Sequence, residues 1–156
     1  MNQNRRFLLK GTLAASAAGV AISAGLLTPK TVMAAWSKAA FEAADVNSAL
    51  TAAMGSADHS ESGDVKLKAP DIAENGAVVP ITVSSSIAGV ESIGILVSSN
   101  AQPLTATFNL GPNTEADVST RIKMGKTADV IAVVKANGKL YSAKKQVKVT
   151  IGGCGG

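Results

Sequence analysis

Val130-Ile131-Ala132-Val133-Val134-Lys135-Ala136-Asn137-Gly138-Lys139-Leu140-Tyr141 is the stretch that decides the fold. A run of β-branched and small apolar residues leads into Asn137-Gly138, and an alternating pattern resumes directly after it. Asn-Gly between two such runs is typical of a two-residue hairpin turn, because type I′ geometry needs a positive φ at both central positions. The stretch therefore predicts two antiparallel strands, the second reaching roughly from Leu140 to Ile151.

Further strands are predicted ahead of this hairpin, because apolar residues alternate with polar ones in short runs separated by Gly, Pro and Asn. Seven short strands at this spacing are typical of an antiparallel β-sandwich of immunoglobulin-like type. The chain has one cysteine, so the cysteine pair of antibody domains is absent and "immunoglobulin-like" describes topology only. The predicted strands are 65–69, 77–83, 90–97, 104–110, 118–122, 130–134 and 140–151.

A helix is predicted at the start of this domain. Apolar residues and alanines recur at spacings of three and four from Ala39 to Met54, and Gly55 is a natural stop. A face containing Phe41, Leu50 and Met54 is expected to cover the edge or end of a sheet, or a partner. The next segment, 58–63, is predicted to be an exposed loop.

The first 34 residues have the pattern of an export signal. Arg5-Arg6 precedes an uncharged, moderately apolar stretch, Gly11–Thr28, and small residues follow around Ala34-Ala35. This pattern predicts a twin-arginine signal peptide (1–34), cleaved before Ala35 to release the protein into the periplasm. A membrane anchor is the alternative, but glycines and serines make the stretch too weakly apolar for it. Residues 35–151 are then one domain, and 152–156 a terminal arm.

Loss of the signal changes the charge of the chain. Four of the 15 basic residues lie in 1–34, so 15 − 4 = 11 remain against 11 acidic residues. The formal charge of +4 for the whole chain therefore belongs to the signal, and the mature domain is close to neutral. Neither nucleic acid nor a membrane surface is predicted as a partner, since both select basic surfaces.

The chain ends on Ile151-Gly152-Gly153-Cys154-Gly155-Gly156, which contains its only cysteine. Glycines offer the thiol nothing to pack against and permit almost any backbone conformation. Fully extended, the five residues from Gly152 would reach about 15–18 Å. The pattern predicts a flexible arm that presents Cys154 to other molecules as a covalent carrier. The alternative is an interaction protein that uses Cys154 for an intermolecular disulfide.

Other candidate chemistry is sparse, and no cofactor or metal is predicted. Asp58, His59, Glu61 and Asp64 could form a weak cation site, but they lack the ligand patterns of zinc or calcium sites. No residue near Cys154 in sequence could serve as its base, so the chain is not expected to be an enzyme. The lysines near the end of the last strand are predicted to be a solvated face: Lys144, Lys145 and Lys148.

The terminal Gly-Gly-Cys-Gly-Gly and the segment Pro70-Asp71-Ile72-Ala73-Glu74-Asn75-Gly76-Ala77-Val78-Val79-Pro80-Ile81 resemble the SoxY family. These proteins are substrate-carrying subunits of the periplasmic thiosulfate-oxidising (Sox) system. The resemblance implies that Cys154 is the covalent attachment point and that Gly152, Gly153, Gly155 and Gly156 form its arm. It also implies a heterodimer with a SoxZ-like subunit. The implied enzymes are a c-type cytochrome, a dimanganese hydrolase and, where present, a molybdenum–haem dehydrogenase.

Overall fold

The computed structural model describes residues 37–150, which form two short helices and two β-sheets. The predicted signal peptide and residues 151–156 lie outside this range. A mainly β domain preceded by helix is thereby confirmed. The helices are α1 (Lys38–Glu42) and α2 (Val46–Met54), and the strands are β1 (Ser60–Glu61), β2 (Val65–Lys68), β3 (Ile72–Ala73), β4 (Val79–Ser85), β5 (Val90–Val97), β6 (Leu104–Asn109), β7 (Asp117–Ile122), β8 (Ala128–Ala136) and β9 (Lys139–Val149).

The larger sheet has the order β1-β9-β8-β5-β6, with β3 also paired to β9, and the smaller sheet has the order β2-β4-β7. The seven longer strands correspond to the seven predicted ones and pair antiparallel. The two short strands were not predicted, and both run parallel to β9. A two-residue strand is too short to show an alternation of polar and apolar residues, so the sequence contains no pattern that predicts it.

The predicted Asn-Gly hairpin is present between β8 and β9. Ala136 pairs with Lys139, so Asn137 and Gly138 are the two turn residues. Their φ angles are 51° and 73°, which is the left-handed conformation that a type I′ turn requires. The prediction of the turn and of its register is confirmed.

The two sheets bury one hydrophobic core between them. Alternate residues of β4 and β5 point into it, and those of β8 do the same, as the period of a strand requires. The members from these three strands are fully or almost fully buried: Val79, Ile81, Val83, Ile93, Ile95, Val97, Val130, Ala132 and Val134.

The predicted N-terminal helix is two helices rather than one. Ala43 has an extended conformation (ψ 137°), and Asp45 then starts α2 with its Oδ1 atom accepting a hydrogen bond from Ser48 N at 2.9 Å. Aspartate at an N-cap satisfies a free N–H of the first turn, so Asp45 favours a new start over continuation. The end of α2 is as predicted, because Gly55 adopts a φ of 87° and donates its N–H to Thr51 O.

The helices cover the outer face of the larger sheet, not its edge or its end. Leu50 and Met54 are buried there against apolar side chains of the sheet, and Phe41 packs against the same cluster. The tip of Met54 lies over Gly94, where a Cβ atom would come within 2.6 Å of the Met54 Cε. β5, an interior strand of the larger sheet, is consequently buried on both faces. The sheet residues of this second cluster are Leu96, Leu104, Val133 and Leu140.

The segment predicted as an exposed loop, 58–63, contains β1. Ser60 pairs with Tyr141 and Glu61 with Ser142, so this segment covers the outer edge of β9. The backbone is exposed as expected, but it is hydrogen-bonded to the sheet. None of the helices within residues 37–150 is long and apolar enough to cross a membrane.

Candidate functional site

The predicted attachment residue Cys154 and its four glycines lie outside the described residues. The structure does describe the strand that leads to them and the place where that strand ends. β9 runs for 11 residues, from Lys139 to Val149, and Thr150 is the last residue described. The hydrogen bonds made by the end of β9 therefore fix the position from which residues 151–156 continue.

The end of β9 is hydrogen-bonded on both of its edges. On one edge, Lys148 N donates to Asp71 O at 3.0 Å and Thr150 N donates to Ala73 O at 3.1 Å. On the other, Val149 N donates to Thr127 Oγ1 at 3.0 Å. We call the two segments that make these bonds, 71–76 and 124–127, the root clamp. It attaches the chain to the domain up to its last described residue.

Gly76 joins the two halves of the root clamp. Its carbonyl oxygen accepts a hydrogen bond of 2.7 Å from Met124 N. A Cβ atom at position 76 would collide with the carbonyl oxygen of Met124 and would lie 3.0 Å from Val149 Cγ1. Only glycine permits this close approach of two backbone segments to the end of β9.

The lysines near the end of β9 differ in their partners. Lys145 Nζ lies 2.8 Å from Asp71 Oδ1 and donates to Ala69 O at 2.6 Å. Lys144 Nζ lies 3.2 Å from Glu61 Oε1. Lys148 makes no ion pair with another residue of 37–150. The prediction of a uniformly solvated lysine face is therefore wrong for Lys145, which links β9 to the segment before β3.

The contact with Lys145 predicts how stability depends on pH. The hydrogen bond from Lys145, followed by its positive charge, lowers the pKa of Asp71 below the ordinary value of 3.8. A carboxylate with a pKa lowered by folding stabilises the fold above its unfolded pKa, and this contribution is lost as the pH falls through the folded value. We expect Asp71→Asn to have a lower Tm than wild type at pH 7 and 5, and the difference to shrink once the pH falls below about 4.

Thermal unfolding of both proteins at pH 7, 5 and 3 measures this difference. Asp58→Asn is the matched control, because Asp58 is exposed and makes no ion pair among the described residues. A gap between wild type and Asp71→Asn that widens on acidification would contradict the prediction.

The other candidate site from the sequence does not come together as a metal centre. Within residues 37–150, no three His, Cys, Asp or Glu side chains are placed to share a metal ion. His59 Nδ1 is instead hydrogen-bonded to Ser142 Oγ at 2.8 Å, and Ser142 is buried on β9. The contact ties the segment before β1 to the sheet.

Two large apolar side chains stand out as exposed in the described part of the chain. Ile72 is 57% exposed and Val78 is 50% exposed. They flank Gly76 in sequence, and Ile72 pairs with Lys148. Ile72 thus places an exposed apolar side chain within the root clamp.

Sequence reasoning missed the residues that hold the end of β9. Asp71, Gly76 and Thr127 are scattered among short segments, and their roles depend on contacts with β9 across the fold. The only signal was the segment Pro70–Ile81, which carried the family resemblance; its Asn75-Gly76 was expected to separate two strands and not to contact the end of β9.

Most of the chain is similar to proteins of one known family. A family model described as "Sulfur oxidation protein SoxY" matches residues 50–154. The solved structure of the sulfur carrier protein SoxY from Chlorobium limicola f thiosulfatophilum is 47% identical, with a TM-score of 0.60, and the match covers 66% of this chain and 94% of that one.

A more distant likeness is to a superoxide reductase (neelaredoxin) from Ignicoccus hospitalis, which is 19% identical, with a TM-score of 0.51. That match covers 59% of this chain and 81% of the reductase, and at such low identity it indicates a similar fold alone. No curated protein sequence matches the chain.

Proposed function

The chain belongs to the SoxY family of sulfur oxidation proteins, and on that premise we propose that it carries sulfur intermediates of thiosulfate oxidation on Cys154. One observation carries the proposal: the family match extends to residue 154, which is the only cysteine of the chain. The protein would present the bound intermediate to partner enzymes and would catalyse no step itself.

The anchored end of β9 supports a presenting role. The root clamp holds the chain up to Thr150, and four further residues reach Cys154, a span of about 13–14 Å when extended. A fixed base with a short glycine-rich extension lets a thiol enter a narrow active site while the domain stays outside. A cysteine meant for internal packing would not need this reach.

The proposed chemistry has two balanced steps. Oxidative attachment joins Cys154 Sγ to the outer sulfur of thiosulfate, releases the thiol proton and passes two electrons to a c-type cytochrome, leaving Cys–S–S–SO3⁻. Hydrolysis by a dimanganese enzyme then adds water across the terminal S–S bond and releases sulfate and a proton, leaving a persulfide on Cys154. A molybdenum–haem dehydrogenase, where present, would oxidise that remaining sulfur.

The proposal includes a partner subunit and a location. A SoxZ-like protein would form a heterodimer with this domain, as the family resemblance implies. The twin-arginine pattern of residues 1–34 supports export to the periplasm, where the thiosulfate-oxidising enzymes would meet the carrier.

We also propose that the sandwich is immunoglobulin-like in its connectivity. In chain order, the first, second and fifth long strands form one sheet, and the third, fourth, sixth and seventh form the other. An immunoglobulin constant domain has the same arrangement except that its fourth strand joins the first sheet. The last strand then lies in the larger sheet, which is where the carrier segment begins.

Intact-mass measurement on the chain isolated from thiosulfate-grown cells tests the function. We expect the mass of the whole chain to rise by one S2O3 unit or one sulfur atom, the increase to be removed by a reductant, and no such increase in Cys154→Ser. The variant retains the glycines and the fold, so it isolates the thiol. A disulfide-linked homodimer without adduct would instead support the interaction-protein alternative and refute the carrier.

A further inference from the structure

A depression of about 450 Å³ lies at the end of the domain where β9 stops. It is formed by the loop between β5 and β6 and the loop between β7 and β8, with Ser99, Gln102, Lys123 and Lys126 among its lining residues. β5 and β7 end there and β6 and β8 begin there, so the antiparallel pairing of β8 with β9 brings the end of β9 to the same side. The depression and the root clamp therefore share residues of one loop.

The charge of this depression is positive. Lys123 and Lys126 are exposed, and neither makes an ion pair with another residue of 37–150. None of the residues that line the depression is acidic. Two unpaired ammonium groups beside one concave surface attract an anion, and a lysine binds an oxyanion as a compact point charge.

The loop that carries both lysines is held in place by Asn100. Its Nδ2 atom donates to Lys123 O at 2.8 Å, and its Oδ1 atom accepts from Gly125 N at 3.2 Å. Both bonds cross from one loop to the other, so the backbone on either side of the depression is fixed before any ligand arrives. A site built in advance loses less conformational entropy on binding.

One polar atom in the wall of the depression lacks a partner. Ser99 Oγ is buried and makes no hydrogen bond within the described part of the chain. A buried hydroxyl without a partner is unfavourable, and native proteins generally satisfy such groups. Rotation of the Ser99 side chain would let its hydroxyl donate to an acceptor oxygen of a bound ligand without movement of the loop backbone.

We propose that this depression is a resting site for the terminal sulfonate group of the thiosulfate adduct on Cys154 of the same chain. The inference rests on the proposed function. Thr127 bonds to Val149 at the end of β9, and Lys126 is its neighbour in sequence. The depression thus begins within roughly 10 Å of the last strand residue, which is less than the span of about 13–14 Å from Thr150 to Cys154.

The tether explains why the adduct, and not free thiosulfate, is the occupant. Two exposed lysines bind a free oxyanion weakly in water at physiological salt. A group attached through a short linker has an effective concentration in the millimolar range, so the same weak site is largely occupied. Hydrolysis removes the sulfonate as sulfate, and the persulfide that remains has lost the group that the lysines bind. The site would then distinguish a loaded carrier from a hydrolysed one.

Chemical loading of the full-length chain provides a direct test. Attack of the Cys154 thiolate on an inner sulfur of tetrathionate gives Cys–S–S–SO3⁻ and releases thiosulfate. We expect loading to shift the backbone amide signals of Ser99, Asn100 and Gly125, and 1 M salt to reverse these shifts because it screens the lysines. Absence of such shifts would overturn the proposal.

Two double variants separate the site from a general effect of charge. Lys123→Gln with Lys126→Gln should abolish the shifts and speed reductive removal of the adduct at least ~3-fold, since a docked group is protected in proportion to its occupancy. Lys66→Gln with Lys139→Gln removes the same charge from exposed positions near the other end of the sandwich and should behave as wild type. Equal rates in both double variants would overturn the proposal.

The source of the oxyanion is tested with Cys154→Ser. Free thiosulfate added to this variant should approach the shifts of the loaded chain only at concentrations of about 1 mM or more, because the tether is missing. Saturation well below that concentration would overturn the assignment of the adduct as occupant. These measurements use chemically loaded protein, so they test docking even if cells never load Cys154. Failure of loading in cells would contradict the proposed function, and the intact-mass experiment alone would detect it.

Discussion

Replacing Gly76 by alanine is expected to lower the free energy of unfolding by about 2–3 kcal/mol. The new methyl group cannot fit between the carbonyl oxygen of Met124 and the side chain of Val149, so the two halves of the root clamp must separate. Separation breaks the 2.7 Å hydrogen bond between Met124 N and Gly76 O and weakens the pairing of β3 with β9. For a domain of this size the Tm should fall by roughly 8–12 °C.

Gly63→Ala is the matched control for this experiment. A Cβ atom at Gly63 meets nothing within 4 Å, and its backbone is not in the left-handed region, so the substitution should leave the Tm unchanged or slightly raised. Hydrogen exchange gives a local reading, because the amides of Lys148 and Thr150 should exchange faster in Gly76→Ala alone. Equal stability of the two variants would show that the clamp contributes nothing.

Ile95→Ala should destabilise the protein by about 3–4 kcal/mol. Ile95 is fully buried in the centre of β5, and its partners on the two neighbouring strands are Ala106 and Ala132. Directly paired residues point to the same side of a sheet, so the substitution would leave three alanines in a row across the core. The alanine neighbours are too small to fill the cavity, and a cavity that cannot collapse lowers the free energy of unfolding further.

A graded control lies at the same position. Ile95→Val removes one methyl group and should cost about 1 kcal/mol, which denaturant unfolding resolves from the alanine variant. Equal losses for valine and alanine would mean that the core repacks around the site. Loading of Cys154 should be unchanged in both variants below their unfolding transitions, because Ile95 lies between the sheets and away from the end of β9.

The strands of this fold could be predicted because each one has a buried face with a period of two. Ile93, Ile95 and Val97 on β5 show this face directly, and Asn137-Gly138 marks the hairpin because few other dipeptides adopt two successive positive φ angles. These signals are local, so they can be read without knowing the fold.

The features that could not be predicted depend on distant contacts. The break before α2 is the exception, because the cap of Asp45 on Ser48 is local, but it falls within a run that otherwise favours helix. The position of the helix over Gly94 depends on the space that a missing side chain leaves in the sheet. β1 and β3 have no pattern of their own and form because the edge of β9 offers free backbone groups.

The candidate site also has one part that the sequence could predict and one part that depends on the fold. Cys154 could be proposed as the attachment residue from its position and its glycine neighbours, because both are properties of the sequence. The contacts around the end of β9 could not be predicted, since Gly76, Thr127 and Lys126 come from segments that approach β9 only in the folded chain. Lys144 and Lys145, which the sequence predicted to be solvated, are paired with carboxylates, whereas the two lysines that line the depression, Lys123 and Lys126, come from the loop between β7 and β8.

The bonds on both edges of β9 also have a mechanical consequence. On the proposed function, an enzyme that holds Cys154 while the two proteins separate would pull on the end of β9, along the axis of the strand. Its backbone is paired with β8 from Lys139 to Val147 and with two parallel segments on the other edge. Force in that direction loads many hydrogen bonds in shear at once, whereas a strand pulled from the side would open one bond after another. If the proposed function is correct, the domain would therefore resist unfolding when its terminal cysteine is withdrawn from an enzyme.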